Sequence, residues 1–195
     1  MNDLTIKDLI AEAQKIGFTT VTQMNPATIE LLDEVRDMCS ANTCGMYGKN
    51  WSCPPACGEL SFCREKIRQY SDGILVQTVG DVEDSWDFEA MMEIEAMHKA
   101  HFSELIEALA PEVSDKPECN DKPSMENRAI LVLGAGACTI CRECTYPEKP
   151  CRFPNKRISS LEAYGIVVSE LCRRNGVGYY YGSQKMAYTS CVLMK

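Results

Sequence analysis

The 195-residue sequence lacks the long apolar run that a transmembrane helix requires. Its longest apolar stretch, from Ala129 to Cys138, is about half of the roughly 20 residues that cross a bilayer. The first residues carry an acid, Asp3, where a signal peptide would carry base, and no apolar core follows them. These absences predict a soluble, cytoplasmic protein with no membrane partner.

Basic residues are scarce in the first two thirds of the chain. Residues 1–127 contain 10 Lys and Arg against 24 Asp and Glu, whereas residues 128–195 contain 10 against 4. A nucleic-acid-binding face needs clustered Lys and Arg, so this balance predicts no nucleic-acid partner. Most of the acid lies between Asp81 and Glu126, which is typical of a solvated helix face and loop and would also suit docking of a basic partner.

No conventional catalytic set is evident, neither a Ser-His-Asp triad nor a pair of carboxylates. The two histidines, His98 and His101, lie three residues apart on a predicted helix without a carboxylate-ligand motif. We interpret both as surface or half-buried side chains rather than metal ligands. The segment 134–136, Gly-Ala-Gly, follows a predicted strand but lacks the third glycine of a dinucleotide-binding turn.

Cysteine, in contrast, is abundant, with 12 in the chain. A reducing cytosol does not keep structural disulfides, so thiols at this density indicate metal ligands or redox groups. Nine of them form two groups in the sequence, and Cys119, Cys172 and Cys191 stand alone. The first group comprises Cys39, Cys44, Cys53, Cys57 and Cys63, and the second comprises Cys138, Cys141, Cys144 and Cys151.

The second group has the spacing Cys138-x2-Cys141-x2-Cys144-x6-Cys151 and follows a predicted strand. Three cysteines at this interval can turn their sulfurs toward one point, which a cubane [4Fe–4S] cluster requires. A structural zinc site usually uses two separated pairs, so the spacing favours iron–sulfur over zinc or free thiols. Whether Cys151 binds the same cluster or the other one stays open. Nearby basic residues can offset the charge of a cluster or be ordinary surface: Arg142, Arg152, Lys156 and Arg157.

The first group is less diagnostic. Its pattern, Cys39-x4-Cys44-x8-Cys53-Pro-Pro-x-Cys57, places prolines beside cysteines, which stiffens a ligand loop but also suits any tight turn. We predict that these four cysteines hold a second [4Fe–4S] cluster, with zinc, a thiol reserve or core packing as alternatives. Cys63 falls inside the following helix and is predicted to be buried packing, or a substitute ligand if one of the four is not used.

Together these patterns resemble a family of predicted metal-binding proteins named domain of unknown function 2284. The carrying features are the two cysteine patterns and the sequence Ser-Leu-Glu-Ala-Tyr-Gly at 160–165, and the resemblance runs from about Cys39 to the C-terminus. It implies metal binding and a cytoplasmic bacterial or archaeal setting. It implies no reaction, because no function is established for the family.

Strands that alternate with helices predict an α/β fold, with α+β as the alternative, in which one sheet and its helices form a sandwich. We predict one domain over residues 1–195, in which a unit of strand, cysteine loop, helix and strand is duplicated. Residues 111–127 are predicted to be a flexible excursion or linker between the two cysteine-rich halves.

The individual elements follow from apolar periodicity and from Gly and Pro positions. The long helix is predicted to turn Phe88, Met92, Phe102, Leu105 and Leu109 toward the core. The predicted helices are 2–16, 26–39, 58–70, 85–110 and 159–175, and the predicted strands are 73–79, 129–133, 177–181 and 187–193.

Three functions are compatible with the sequence. The first is a protein with up to two [4Fe–4S] clusters that carries electrons to or from a redox partner protein. The second is a reductase in which a cluster acts on a bound small molecule, and the third is a zinc-stabilised interaction module. The sequence does not determine the oligomeric state.

Overall fold

The computed structural model describes residues 4–109, 129–154 and 156–195, and a five-stranded mixed sheet lies at its centre. The strands are β1 (Thr20–Met24), β2 (Asp72–Asp81), β3 (Ile130–Gly134), β4 (Ser159–Ser160) and β5 (Lys185–Met194). Their order is β1-β2-β5-β3-β4, and neighbouring strands are antiparallel except for the parallel pair β3 and β4.

Five α-helices and two short 3-10 helices connect these strands in the described residues. The α-helices are α1 (Ile6–Ile16), α2 (Asp33–Ser40), α3 (Leu60–Ile67), α4 (Phe88–Ala108) and α5 (Val168–Arg174). The 3-10 helices are η1 (Pro26–Thr28) and η2 (Glu162–Tyr164). Among the described helices, none combines the length and the apolar character that a membrane crossing needs.

Helices cover both faces of the sheet. Successive strand residues point to opposite faces, so each central strand contributes to two apolar layers. On one face, Ile74, Val76 and Val192 pack against α1 and α4. On the other face, Leu75 and Cys191 pack in one cluster with residues of α3, η2 and α5. The α/β sandwich predicted from the sequence is confirmed.

The order of elements repeats in the two halves of the chain. β1 is followed by the first cysteine-bearing segment, α3 and β2, and β3 is followed by the second cysteine-bearing segment, α5 and β5. β2 and β5 pair with each other at the centre, and each has the strand that opens its own half on its outer side. The predicted duplicated unit has this order of elements. The predicted linker over 111–127 lies outside the described residues.

The single helix predicted over 159–175 is wrong, because Gly165 interrupts it. Its φ is +78°, and a Cβ at this position would lie 2.8 Å from Leu60 Cδ2 and 3.0 Å from the Leu32 carbonyl oxygen. The segment therefore forms β4, η2 and α5 instead of one helix. The helix predicted over 26–39 is likewise divided into η1 and α2, since Leu31 between them pairs with Ile166 in an isolated β-bridge.

Two errors concern strands. Residues 177–181 form no strand in the structure, and their three tyrosines are exposed. β1 was not predicted, because its sequence, Thr-Val-Thr-Gln-Met, is short and half polar. It is held at the edge of the sheet by pairing of Thr20 with Gln77 through Met24 with Gly73.

The first turns of the long helix α4 do not bury the residues that were predicted to face the core. Phe102, Leu105 and Leu109 are buried as expected, but Phe88 and Met92 are 61% and 68% exposed. Phe88 precedes the buried Ile94 by six positions, and Met92 precedes the buried His98 by six. At 100° per residue, six positions correspond to a separation of about 120° around the helix. The first turns of α4 therefore present apolar side chains to solvent.

The prediction that both histidines are exposed or half-buried is wrong for His98, whose exposed fraction is 0%. Its Nδ1 lies 2.9 Å from Thr78 Oγ1 on β2, and its Nε2 lies 2.7 Å from Ser190 Oγ on β5. Burial is the main reason that the pKa of His98 falls to about 4, and the charges of His101 and Lys99 add to the effect. A neutral imidazole thus joins α4 to the two central strands.

Candidate metal centre

The second cysteine-bearing segment, residues 138–151, follows β3 and contains no helix or strand. All four predicted ligands in this segment line one solvent-open cavity, and each thiol is partly exposed. Cys151, whose place the sequence left open, faces the same cavity as the other three. The structure brings together Cys138, Cys141, Cys144 and Cys151.

In the residues that the structure describes, no group of three or more His, Cys, Asp or Glu side chains could hold a metal ion as it stands. The four cysteines of the second segment line one cavity of about 20 Å³, but their side chains do not meet at a point. Iron–sulfur clusters are bound by Cys thiolates, and a [4Fe–4S] cluster takes four of them. The donor set around the cavity therefore has the chemistry and number that such a cluster uses.

Positive charge lies at the same cavity. Arg152 and Arg157 both contribute to its lining. Burial raises the pKa of Cys151, and Arg157 opposes this effect by favouring the thiolate. Of the other basic residues considered from the sequence, Arg142 and Lys156 are exposed and do not line the cavity. Two of the four basic residues, Arg152 and Arg157, therefore lie where they would stabilise a bound anion.

The first cysteine-bearing segment, residues 39–57, holds the backbone of the second at Cys138. The side-chain nitrogen of Asn50 donates to the Cys138 carbonyl oxygen at 3.2 Å, and the Cys138 N–H donates to Ser52 Oγ at 3.2 Å. Ser52 Oγ in turn donates to Asn50 Oδ1 at 2.8 Å. Asn50 and Ser52 are both buried, so this network fixes the position at which the second segment begins.

Trp51 adds three contacts from the same place. Its backbone N–H donates to Cys144 Sγ at 3.5 Å, and its indole N–H donates to the Lys149 carbonyl oxygen at 3.0 Å. Its ring lies edge-on to Tyr146 with a centroid distance of 4.9 Å. N–H donors to cysteine sulfur are one of the means by which proteins set cluster potentials. Residues 50–52 were not among the predicted site residues, although a Trp within a Gly- and Pro-rich cysteine loop is a signal for them.

Within the first segment, two sulfurs converge on neighbouring carbonyl groups of η2. Cys57 Sγ lies 3.5 Å from the Ala163 carbonyl oxygen, and Cys39 Sγ lies 4.0 Å from that of Glu162. Cys39 is near the end of α2, and Cys57 immediately precedes the turn into α3. The fold therefore places two predicted ligands, 18 positions apart in the sequence, against the same short element.

The other two predicted ligands of this segment differ in exposure, since Cys53 is buried and Cys44 is exposed. Burial raises the pKa of Cys53 and that of Cys57 to about 11. The charges of Cys57, Cys44 and Cys39 raise the pKa of Cys53 further, which places these three cysteines within electrostatic range of Cys53. A metal bound here must displace protons from these thiols.

An arginine that the sequence analysis missed lies among these thiols. Arg36 of α2 donates from Nη1 to Cys57 Sγ at 3.3 Å and also to the Ala163 carbonyl oxygen, and its Nη2 donates to the Gly58 carbonyl oxygen. Its charge lowers the pKa of Cys39 and Cys57 against the larger effect of burial. Only its position three residues before Cys39, on the same side of a helix, could have indicated this role.

The remaining cysteines in the described residues are packing residues. Cys63 is 0% exposed on α3, as predicted, and it lies in one apolar cluster with Cys172 and Cys191. All eleven cysteines in the described part of the chain are free thiols. Cys119 lies outside the described residues.

Two further cavities bear on whether a substrate could meet the cysteines. A groove of about 530 Å³ lies between η1 and α3, lined by Arg64, Arg68 and Tyr70 among others, and no cysteine lines it. A cavity of about 60 Å³ lies between α4 and residues 134–140 and includes His98 and Cys138 in its lining. The first has the size of a ligand pocket, and the second has room for only a few water molecules.

The profile of one protein family, described as predicted metal-binding protein (DUF2284), matches residues 22–194. No curated protein and no solved structure matches the chain. The matched span contains both cysteine-bearing segments and begins earlier than the cysteine patterns alone indicated. The resemblance inferred from those patterns is confirmed.

Proposed function

The chain belongs to this family of predicted metal-binding proteins, and we propose that it is an iron–sulfur protein that carries electrons to or from a partner enzyme. The observation that supports this proposal most directly is the single cavity lined by four thiols and two arginines. A bound cluster supplies one-electron chemistry. In this proposal the second segment holds one [4Fe–4S] cluster through Cys138, Cys141, Cys144 and Cys151, and the first holds another through Cys39, Cys44, Cys53 and Cys57.

The residues around the second segment suit an electron carrier because they keep the ligands fixed. The hydrogen bonds of Asn50 and Ser52 to Cys138 hold the start of the segment, and Trp51 holds its middle. The Trp51 N–H to Cys144 Sγ bond stabilises negative charge on that sulfur. A cytoplasmic location belongs to the same proposal, since free thiols at this density suit a reducing compartment.

The sizes of the cavities favour a carrier over a reductase. The 530 Å³ groove could hold a small molecule, but it is lined by no cysteine. The cavity beside Cys138 is only about 60 Å³, and the four-cysteine cavity, although open to solvent, is only about 20 Å³. A reductase needs its substrate against the cluster or its ligands. Zinc is the alternative cofactor, and it would make the protein an interaction module with no redox role.

The number of clusters is tested by Cys141→Ala, with Cys63→Ala as the matched control. Cys141 lines the cavity, whereas Cys63 is a fully buried thiol in the core. In protein purified without oxygen, we expect Cys141→Ala to lose about half of the iron and Cys63→Ala to lose none, although the control will be less stable. Loss of nearly all iron from Cys141→Ala would show that the wild type contains only one cluster, and a colourless, zinc-loaded wild type would contradict the proposal.

We further propose that the partner is a basic redox protein that docks on the start of α4. Trp86, Phe88 and Met92 form an apolar patch there, with exposed fractions of 76%, 61% and 68%. The rings of Trp86 and Phe88 lie 6.2 Å apart. Residues 81–98 around the patch contain seven acids and no Lys or Arg. Exposed aromatic and Met side chains within such a charged surround are typical of a protein interface with a basic partner.

The patch lies on the same face of α4 as Lys99, which contacts the backbone next to the second cysteine-bearing segment. Lys99 donates to the Ala137 carbonyl oxygen, next to Cys138, at 3.4 Å. Met92 and Phe88 precede Lys99 by seven and eleven positions, which are close to two and three whole helical turns. At 1.5 Å per residue, the patch begins about 10 Å from that contact along the helix. A partner bound here would lie beside the proposed cluster.

The docking surface is tested by electron transfer to two acceptors, a basic c-type cytochrome and the small ion ferricyanide. The combined substitution Trp86→Ala and Phe88→Ala should slow the second-order rate to the cytochrome about tenfold and leave the rate to ferricyanide unchanged. Tyr180→Ala, which removes another exposed ring, is the control. Equal rates for all three proteins with the cytochrome would exclude this surface.

A further inference from the structure

Arg36 has no negative partner among the described residues. Its guanidinium is partly buried, and its three hydrogen-bond acceptors are the Cys57 sulfur and the carbonyl oxygens of Ala163 and Gly58. No carboxylate in the described part of the chain lies within ion-pair distance of it. The acceptors are a thiol and two peptide groups, so a full positive charge is balanced here only by neutral groups.

Such an arrangement is unusual for arginine. The guanidinium stays charged at every accessible pH, and a charge that is withdrawn from water is costly unless an opposite charge accompanies it. Cys57 is the hydrogen-bonded side chain that could supply negative charge, but a neutral thiol supplies none. The Glu162 carboxylate acts on the nearby Cys39 but forms no ion pair with Arg36. Thiolates bound to a metal supply this negative charge, because ligation requires the deprotonated sulfur and the resulting centre is anionic.

We propose that Arg36 is the built-in counter-cation of an anionic metal–thiolate centre on the first cysteine-bearing segment, and that it sets the reduction potential of that centre. This inference rests on the proposed function of Cys39, Cys44, Cys53 and Cys57. On reduction, one electron passes from the partner protein to the centre, whose charge becomes more negative by one, and no bond is formed or broken. A fixed positive charge favours the more negative, reduced form, so Arg36 raises the potential.

The two terminal nitrogens of the Arg36 guanidinium, its hydrogen-bonding fork, also have a structural effect, which the experiment must separate from the effect of the charge. Nη1 and Nη2 join α2 to η2 and to the turn after Cys57, through Ala163 and Gly58. Arg36→Gln keeps a hydrogen-bond donor and removes the charge, whereas Arg36→Lys keeps the charge and removes the fork. Arg173→Gln, at an exposed arginine on α5, is the control for loss of one positive charge elsewhere.

The test is an anaerobic redox titration in the Cys141→Ala background, where the first centre alone gives the signal. Arg36→Gln should lower the equilibrium constant for reduction by at least tenfold, which is about 59 mV for one electron. Arg36→Lys should shift it less, and Arg173→Gln should not shift it. Zinc in the first centre would overturn the claim about the reduction potential, because zinc is not redox-active. A ten- to hundred-fold loss of zinc affinity in Arg36→Gln, measured against a chelator, with partial rescue in Arg36→Lys, would then support the counter-cation role alone.

Failure of this inference differs from failure of the proposed function. An unchanged potential in a metal-loaded Arg36→Gln protein would overturn the role of Arg36 and leave the metal centre in place. Equal loss of the metal from Arg36→Gln and Arg36→Lys would also overturn it, because the role would then be structural, whereas retention by Arg36→Lys alone would support it. A wild-type first segment that binds no metal would contradict the proposed second centre itself, and Arg36 with it.

Discussion

Acidification should destabilise the protein through His98, a residue outside the proposed metal sites. The pKa of His98 falls from 6.5 to about 4 on folding, chiefly because the imidazole is buried between α4 and the sheet. The unfolded chain therefore binds a proton between these two pH values that the folded protein does not bind. The stability that His98 contributes as a neutral group is fully present above about pH 6.5 and declines as the pH falls toward 4.

The size of the effect follows from the shift. One pKa unit corresponds to about 1.36 kcal/mol, so the shift costs about 2 kcal/mol at pH 5 and about 3 kcal/mol well below pH 4. A domain of this kind is stable by only about 5–15 kcal/mol, so the loss at pH 5 is a substantial fraction of the whole.

The assay is urea unfolding without oxygen, from pH 7.5 to 4.5, on the wild type and on His98→Gln. Glutamine can donate to and accept from Thr78 and Ser190 but does not titrate, and both proteins share the pH dependence of the thiols. We expect the stability advantage of the wild type over His98→Gln to shrink by about 2 kcal/mol between pH 7 and pH 5. Parallel curves for the two proteins would refute the reasoning.

Two further predictions concern the scaffold of the cysteine-bearing segments. Gly165→Ala should destabilise the protein by about 2–3 kcal/mol, because the residue combines φ of +78° with the close approach of Leu32 and Leu60. The control, Gly176→Ala, has φ of +70° and nothing within 4 Å of the added Cβ, so it should cost only about 1 kcal/mol. Equal urea midpoints for the two variants would contradict this account. Trp51→Phe should lower the stability by about 1 kcal/mol, because the hydrogen bond from the indole to the Lys149 carbonyl oxygen is lost. The reduction potential of the second cluster should stay unchanged, because the backbone N–H of residue 51 still donates to Cys144 Sγ. A large shift in the redox titration would show that the indole acts on the cluster.

The sequence predicted what depends on short-range pattern. β2, β3 and β5 are apolar runs bounded by turn residues, and all three form the core of the sheet. Cys63 lies inside a helical pattern rather than in a loop, and it is buried packing. The cysteine spacing grouped Cys138, Cys141, Cys144 and Cys151 as one ligand set, and these four residues line one cavity; that they bind a metal stays a prediction.

Contacts between distant parts of the chain could not be predicted in this way. Asn50 and Ser52 meet Cys138 across more than 80 residues, and Arg36 meets Ala163 across 127. The break in the helix predicted over 159–175 has the same origin, because Gly165 adopts a left-handed φ where it lies close against Leu32 and Leu60 from the other half. Periodicity also misassigned Phe88, because one helix can carry both a buried stripe and an exposed apolar patch.

Iron and acid-labile sulfide, measured on wild-type protein purified without oxygen, test the central claim most directly. We predict a brown protein that contains iron and sulfide in about equal amounts, near four of each per cluster and twice that if both segments are loaded. Zinc in place of iron, or protein without metal whose thiols all react with a thiol reagent, would contradict the claim that the two cysteine-bearing segments hold iron–sulfur clusters.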